Sequence, residues 1–163
     1  MKITDSDIFN ASLLIVDDQE VNISLLDNML RNVGYTSVTS TLNPQDVYTL
    51  HSKNHYDLIL LDMQMPVMDG FQVMEALKTV DEDDYLPVIV FTADPGHKRR
   101  ALQAGARDFI SKPFDIVESN MRIRNMLEVR LLYKKLKEYN KVLEQTLQSA
   151  PPNCAIAKPA SAA

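Results

Sequence analysis

Three carboxylates, a hydroxyl and an amine occupy places in this sequence where the strands of a parallel sheet would end. Asp17 and Asp18 follow one short apolar run, Asp62 ends a second and Thr92 ends a third. Lys112 comes just past a fourth, shorter segment. Ligand sites of open parallel α/β sheets lie at the carboxyl ends of the strands. We therefore expect these side chains to meet in one cleft.

Such a cleft has the groups needed for phosphoryl chemistry. Three carboxylates held close together repel and remain ionised only when a cation compensates them. Oxygen ligands of this kind suit Mg²⁺, which commonly brings phosphate oxygens with it. The Thr92 hydroxyl and the Lys112 ammonium can donate to the remaining phosphoryl oxygens. Asp62 is then the candidate nucleophile, and its reaction with a phosphoryl group forms an aspartyl phosphate.

Short apolar runs that alternate with helical patterns must position these residues. The runs predict buried strands at 13–16, 58–61 and 88–91 and a shorter strand at 108–110. Helices are predicted at 21–33, 46–51, 71–80 and 94–105. Strands and helices that alternate at this spacing form right-handed crossovers around a parallel sheet. We predict an α/β fold with a flavodoxin-like, doubly wound, five-stranded sheet of order 2-1-3-4-5 and helices on both faces.

A long helix follows the predicted sheet. Residues 116–147 contain neither Gly nor Pro, and the prediction is one extended helix over 116–148. A heptad-like seam comprises Val129, Leu132, Leu136, Tyr139, Leu143 and Thr146. The seam indicates a short coiled coil and a possible homodimer through 129–146. The remaining segment, 149–163, is rich in Pro, Ala and Ser and is predicted to be disordered.

Four segments carry motifs in a fixed order. They read LIVDD at 14–18, LDMQMPVMDG at 61–70, FTA at 91–93 and AGARDFISKPF at 104–114. Together they resemble the receiver domain of bacterial two-component response regulators over about residues 11–120. The resemblance implies a receiver at 11–115 that accepts a phosphoryl group from a histidine kinase or phosphotransfer protein. It implies a switch with self-catalysed transfer and autodephosphorylation, not an enzyme with a separate substrate.

The resemblance also implies a role for each site residue. Asp62 becomes the phosphoacceptor, Asp18 a direct Mg²⁺ ligand and Asp17 its indirect partner. The backbone carbonyl of Gln64 supplies a further metal contact. The Gln64 side chain is longer than the family's common residue type here and could screen the phosphoryl group from water.

The other implied roles concern switching. Thr92 binds the phosphoryl oxygen after modification, and Lys112 pairs with the phosphoaspartate. The Lys112–Pro113 bond resembles the family's cis peptide. Phe109 matches the aromatic switch position but lacks the hydroxyl of a tyrosine, so packing can drive an inward swing of its ring but no tyrosyl hydrogen bond is gained.

The long helix suggests how the signal leaves the receiver. Residues 121–133 resemble the linker helix that precedes phosphodiesterase outputs of the HD-GYP type. The resemblance implies an output domain, or a separate partner protein, on this helix.

Two other functions use some of the same features. A haloacid-dehalogenase-type phosphatase combines an Asp nucleophile, Mg²⁺, a Ser or Thr and a Lys, but places a second Asp two residues after the nucleophile. Gln64 stands at that position and cannot serve as the general acid. A dimerisation scaffold that works without phosphorylation would use only the helix, and the intact acidic set argues against it.

Charge and composition exclude several further classes. The net charge is −5, with nine basic against 18 acidic residues over 1–115, so direct binding of nucleic acid is disfavoured. The chain has a single cysteine and no apolar run of transmembrane length. We expect a cytoplasmic protein with no membrane association.

Overall fold

The computed structural model describes residues 2–80 and 87–149 of the chain. The strands are β1 (Ser12–Val16), β2 (Ser37–Thr41), β3 (Leu58–Asp62), β4 (Val88–Thr92) and β5 (Asp108–Ser111). The α-helices are α1 (Asp5–Phe9), α2 (Glu20–Val33), α3 (Val47–Asn54), α4 (Gly70–Leu77), α5 (Pro95–Gln103) and α6 (Ile116–Ser149). A 3₁₀ turn at Pro44–Asp46 precedes α3.

The five strands form one parallel sheet in the order β2-β1-β3-β4-β5. This confirms the predicted flavodoxin-like order. The central strands β1, β3 and β4 are buried along nearly their whole length, as their unbroken aliphatic runs require. Val16 lies opposite Leu61, and Asp62 lies opposite Phe91. The carboxyl ends of these strands therefore meet at one edge of the sheet.

Alternate strand residues face two separate apolar layers. One layer combines sheet residues with α2 and α6, and includes Leu13, Ile15, Leu58, Leu60, Ile89, Leu30, Ile123 and Leu127. The other combines sheet residues with α3, α4 and α5, and includes Leu14, Val16, Ile59, Leu61, Val90, Val47, Val73, Leu77 and Ala101. Helices thus cover both faces, as predicted, while the pairing between neighbouring strands holds their ends in register.

The sequence did not predict the position of the second strand, and it did not predict the first helix. The strand β2 lies at the sheet edge and reads SVTST, with no fully buried residue, so it lacks the apolar run that marked the others. The helix α1 is only five residues long and begins with a capping box between Thr4 and Asp7.

The helix α1 is attached to two other parts of the first layer. Ile8 is buried, and the Phe9 ring meets the Tyr35 ring edge-on at 5.3 Å. Asp5 forms an ion pair with Arg124 of α6. Arg124 also lies over the Phe9 ring, with 5.9 Å from its guanidinium carbon to the ring centre.

The helix α6 begins at Ile116, as predicted, and runs to Ser149. Its first turns bury Ser119, Ile123 and Leu127. The chain divides after Leu132 into two compact units, and the described part of the second unit is the helical segment 133–149. The predicted disordered tail lies outside the described residues, apart from Ser149. No helix in the described part of the chain combines the length and apolar character needed to cross a membrane.

Candidate functional site

Asp17, Asp18 and Asp62 come together at the carboxyl ends of β1 and β3. Each offers an oxygen, and these three oxygens lie within 4.8 Å of one another. Asp17 and Asp62 are buried, whereas Asp18 is half-buried. Neighbouring parallel strands that end in register are the cause, because they bring residues distant in sequence to one edge.

Lys112 supplies a positive charge to this group. Its Nζ lies 3.1 Å from Asp62 Oδ1 and 3.4 Å from Asp17 Oδ2. The Lys112 backbone N–H donates to the Thr92 carbonyl at 2.9 Å, which fixes the residue just beyond β5. The Lys112–Pro113 peptide is cis. A single ammonium thus faces two of the three carboxylates.

Asp18 has a buried carboxylate oxygen with no hydrogen-bond partner among the described residues. The neighbouring carboxylates do have hydrogen-bond donors. Asp17 Oδ1 accepts from the Gln19 N–H at 2.9 Å, and Asp62 Oδ1 accepts from the Gln64 N–H at 3.3 Å. A buried acceptor without a donor is unfavourable unless a ligand satisfies it. Three carboxylates with one such oxygen are a donor set that fits a hard divalent cation.

The electrostatic environment perturbs Asp62. Burial raises the pKa of its carboxyl above the ordinary value. The ammonium of Lys112 acts in the opposite direction, and the charge of Asp17 adds to the increase. The ionised form of Asp62 is therefore electrostatically unfavourable, and a second cation nearby would stabilise it.

The loop after Asp62 is tightly packed around Gly70. A Cβ atom at this glycine would stand 2.5 Å from Met63 Sδ and 3.0 Å from the Asp62 carbonyl oxygen. The Gly70 N–H donates to the Met63 carbonyl at 3.3 Å, and Asp69 caps α4. The Gln64 side chain is exposed, while its backbone N–H faces Asp62. The close packing fixes the backbone beside the predicted phosphoacceptor.

Thr92 lies at the end of β4, but its hydroxyl is engaged on the side of α5. It accepts from the Asp94 N–H at 3.1 Å and donates to the Asp94 carbonyl at 3.4 Å. Nδ1 of His97 lies 3.5 Å from the same oxygen. Sequence reasoning missed His97, because a lone histidine on a surface helix belongs to no motif.

Phe109 is half-buried on β5 and lies beside two cations. Lys98 Nζ is 4.6 Å from the centre of its ring, and the Arg122 guanidinium carbon is 5.7 Å away. The structure thus gathers Asp17, Asp18, Asp62 and Lys112 in one place, while Phe109 packs separately at the β5 surface.

Comparison with known proteins identifies the fold and its family. Residues 13–124 match the family model of the response regulator receiver domain. The chain belongs to this family. The match confirms the predicted receiver of two-component signalling and spans all the site residues described above.

Two relatives illustrate the similarity at the sequence level. The receiver is 34% identical over 131 residues to the response regulator PleD of Caulobacter vibrioides, an alignment that covers 79% of this chain and 29% of PleD. It is 36% identical over 107 residues to the polar-differentiation response regulator DivK of Brucella anthropi, covering 64% of this chain and 86% of DivK. The chain therefore spans less than a third of PleD but most of the length of DivK.

Solved structures show the same architecture. The receiver domain of the sensor histidine kinase PA1611 from Pseudomonas aeruginosa has a magnesium ion coordinated in its active-site cleft. The receiver matches it with a TM-score of 0.66 and 29% identity, covering 72% of this chain and 98% of that one. The chemotaxis protein CheY4 of Vibrio cholerae matches with a TM-score of 0.63 and 25% identity, covering 70% and 98%.

Proposed function

We propose that Asp62 accepts a phosphoryl group from a histidine kinase or phosphotransfer protein in a Mg²⁺-dependent reaction. One observation carries the proposal: three carboxylate oxygens lie within 4.8 Å of one another, and Lys112 contacts two of the carboxylates. A receiver with this arrangement is a switch, because the modified group stays on the protein.

The residues of the chain have distinct parts in the transfer. An Asp62 carboxylate oxygen forms a bond to phosphorus while the bond from phosphorus to the donor's imidazole nitrogen breaks. The Lys112 ammonium stabilises negative charge at the acceptor, and the Thr92 hydroxyl donates to a phosphoryl oxygen after it turns inward.

Metal binding completes the proposed site. Asp18, Asp62 and the backbone carbonyl of Gln64 would hold Mg²⁺, with Asp17 beside them. When bound, Mg²⁺ neutralises charge on the transferring phosphoryl oxygens. The unpartnered oxygen of Asp18 and the magnesium reported in the PA1611 receiver support this assignment. Autodephosphorylation at Asp62 is proposed to use the same residues, with the exposed Gln64 side chain limiting the access of water.

A small phosphodonor tests the proposal directly. Acetyl phosphate with Mg²⁺ is expected to add one phosphoryl group to the full chain, observed by intact-mass spectrometry as a base-labile adduct. The adduct should be absent from Asp62→Asn and strongly reduced by EDTA, while the exposed control Asp46→Asn labels like the parent. Equal labelling of Asp62→Asn would overturn the assignment.

We further propose that α6 transmits the switch to an output domain or partner protein and pairs with a second copy of itself. The resemblance of 121–133 to an HD-GYP linker favours a phosphodiesterase output. Apolar side chains along the helix are exposed, including Val129, Leu132, Leu136, Tyr139, Leu143 and Leu147. Pairing of two helices would remove this stripe from water, and its short length makes the dimer weak enough to respond to the receiver.

Sedimentation equilibrium tests the pairing. We expect the full chain to self-associate at tens of micromolar, and we expect beryllofluoride with Mg²⁺ to change the dimer affinity. Leu136→Gln combined with Leu143→Gln should weaken the dimer by about 10-fold or more, because each removes one apolar contact per helix. Lys137→Gln combined with Lys141→Gln, off the seam, serves as the control. A parent protein that remains monomeric with and without beryllofluoride would rule out self-association.

A further inference from the structure

Adjacent residues of α5 contact the two side chains assigned to the switch. His97 reaches Thr92, and Lys98 reaches Phe109. Thr92 ends β4 and Phe109 lies on β5, so one short stretch of helix contacts both. Neither α5 residue is part of the carboxylate group.

The His97 ring is held by contacts on several sides. Its Nδ1 is 3.5 Å from the Thr92 hydroxyl oxygen, and its Nε2 is 3.7 Å from Asp94 Oδ2. The ring meets Phe71 of α4 edge-on, with 6.0 Å between ring centres. The Phe71 ring is itself held by a cation–π contact, because the Arg100 guanidinium carbon lies 4.0 Å from its centre. His97 is therefore fixed where it can hold the Thr92 hydroxyl toward α5.

Lys98 acts on the aromatic side chain. Its ammonium lies 4.6 Å from the centre of the Phe109 ring, within the range of a cation–π contact. Because Phe109 has no hydroxyl, such contacts with its ring, together with packing, determine the position in which it rests. The Arg122 guanidinium carbon lies farther from that centre, at 5.7 Å, so Lys98 makes the closer contact. An inward swing of the ring, as in the proposed switch, would move it away from Lys98 and lose this attraction.

We propose that His97 and Lys98 form a resting-state latch, in which His97 holds Thr92 and Lys98 holds Phe109 in their unphosphorylated positions. The latch rests on the proposed function, since it opposes the movement that modification of Asp62 drives. His97 and Lys98 are positioning residues and do not contact the phosphoryl group. Their effect is on the equilibrium between resting and active receiver.

A latch has a defined thermodynamic signature. A ligand that binds only the active state has an apparent dissociation constant equal to the intrinsic value divided by the active fraction. Loss of a contact made only at rest raises that fraction and tightens binding. The expected factor is about 2- to 10-fold for one neutral hydrogen bond or one exposed cation–π contact.

Beryllofluoride with Mg²⁺ is the probe, applied to the full chain and followed by NMR. His97→Phe keeps an aromatic ring against Phe71 but removes the polar atom, whereas His97→Asn keeps a polar atom at the position of Nδ1. We expect His97→Phe to lower the dissociation constant about 2- to 10-fold, and His97→Asn to stay near the parent. In His97→Phe without beryllofluoride, the Thr92 methyl resonance should move part of the way toward its bound position.

Variants of Lys98 provide a second, independent test of the latch. Lys98→Met keeps the length of the side chain without its charge, and Lys98→Arg keeps a cation. We expect Lys98→Met to lower the dissociation constant for beryllofluoride and Lys98→Arg to leave it near the parental value. In His97→Phe combined with Lys98→Met, the two fold-changes should multiply. Arg99→Gln, exposed at the next position of the helix, is the matched control.

The outcomes separate the latch from the function on which it rests. If the parent binds beryllofluoride while His97→Phe and Lys98→Met bind with parental or weaker affinity, the latch is wrong and the phosphoacceptor proposal stands. If the parent does not bind it at all, the phosphoacceptor proposal fails and the latch fails with it. Thermal unfolding of each variant checks that a tighter constant does not come from a change in stability.

Discussion

Replacement of Lys112 by methionine is expected to slow phosphoryl transfer from acetyl phosphate about 100-fold, the usual effect of removing one charged or hydrogen-bonding group from a developing negative charge. The same variant should bind Mg²⁺ about 5-fold more tightly. The reason is that the ammonium lies 3.1 Å from Asp62 Oδ1, where it repels a second cation. Slower chemistry combined with stronger metal binding distinguishes this electrostatic role from a general loss of structure.

The rate is measured by intact mass at saturating Mg²⁺, and the metal affinity by competition with a fluorescent chelator. Lys112→Arg retains a positive charge and should bind Mg²⁺ much as the parent does. Lys53→Met, at an exposed position of α3, controls for loss of net positive charge. Parental transfer rates in Lys112→Met would show that the ammonium does not support the reaction.

Replacement of Asp62 by asparagine should stabilise the metal-free protein at neutral pH. The raised pKa of Asp62, caused first by burial, means that its ionised form is less favourable in the folded chain than in the unfolded chain. Asparagine removes that unfavourable charge and leaves Lys112 paired with Asp17. A gain of about 1 kcal/mol would raise Tm by roughly 3 to 6 °C in a domain of this size.

The advantage of the variant should depend on pH in a defined direction. The gain in stability of Asp62→Asn over the parent is fully present above the raised pKa of folded Asp62, where the carboxyl is charged in both the folded and the unfolded chain. It shrinks as the pH falls through that pKa and disappears below the ordinary value of 3.8, where the carboxyl is neutral in both states. Saturating Mg²⁺ at neutral pH should reverse the order, because the parent binds the metal more tightly and is stabilised by it.

Thermal unfolding in EDTA and in Mg²⁺ measures both effects. Asp18→Asn should also raise Tm in EDTA and lose that advantage in Mg²⁺, since it removes one charge from the group of three carboxylates. Asp46→Asn, on the exposed surface, should leave Tm unchanged in both buffers. If both site variants are less stable than the parent without metal, the carboxylates do not repel each other as proposed.

The sequence predicted the strands that are buried and the helices whose ends are marked by Gly, Pro or capping residues. Short unbroken aliphatic runs such as Leu58–Leu61 are typical of a strand covered on both faces, and their alternation with helices restricts the sheet order. The position of β2 was not predicted because Ser37–Thr41 is polar and lies at the edge, where pairing with β1 rather than burial determines its conformation.

The placement of the site followed from the same logic, whereas its side-chain geometry did not. Asp17, Asp62 and Thr92 had to approach each other, because neighbouring parallel strands bring their carboxyl ends together. The direction of the Thr92 hydroxyl depends on hydrogen bonds with the Asp94 backbone and on the contact with His97 of α5. No local pattern in the sequence indicates such a contact, because it depends on how α5 packs.

The short helix α1 affects where this domain should be considered to begin. Its Ile8 is buried in the same apolar layer as Ile123 and Leu127 of α6, and that burial outweighs the exposed ion pair between Asp5 and Arg124. A boundary placed at residue 13, where the family match starts, would remove a supporting element of α6 while leaving every motif intact. The amino-terminal helix is thus joined by packing to the first turns of α6, so the boundary of the folded domain belongs at or before Thr4, whose side chain caps α1.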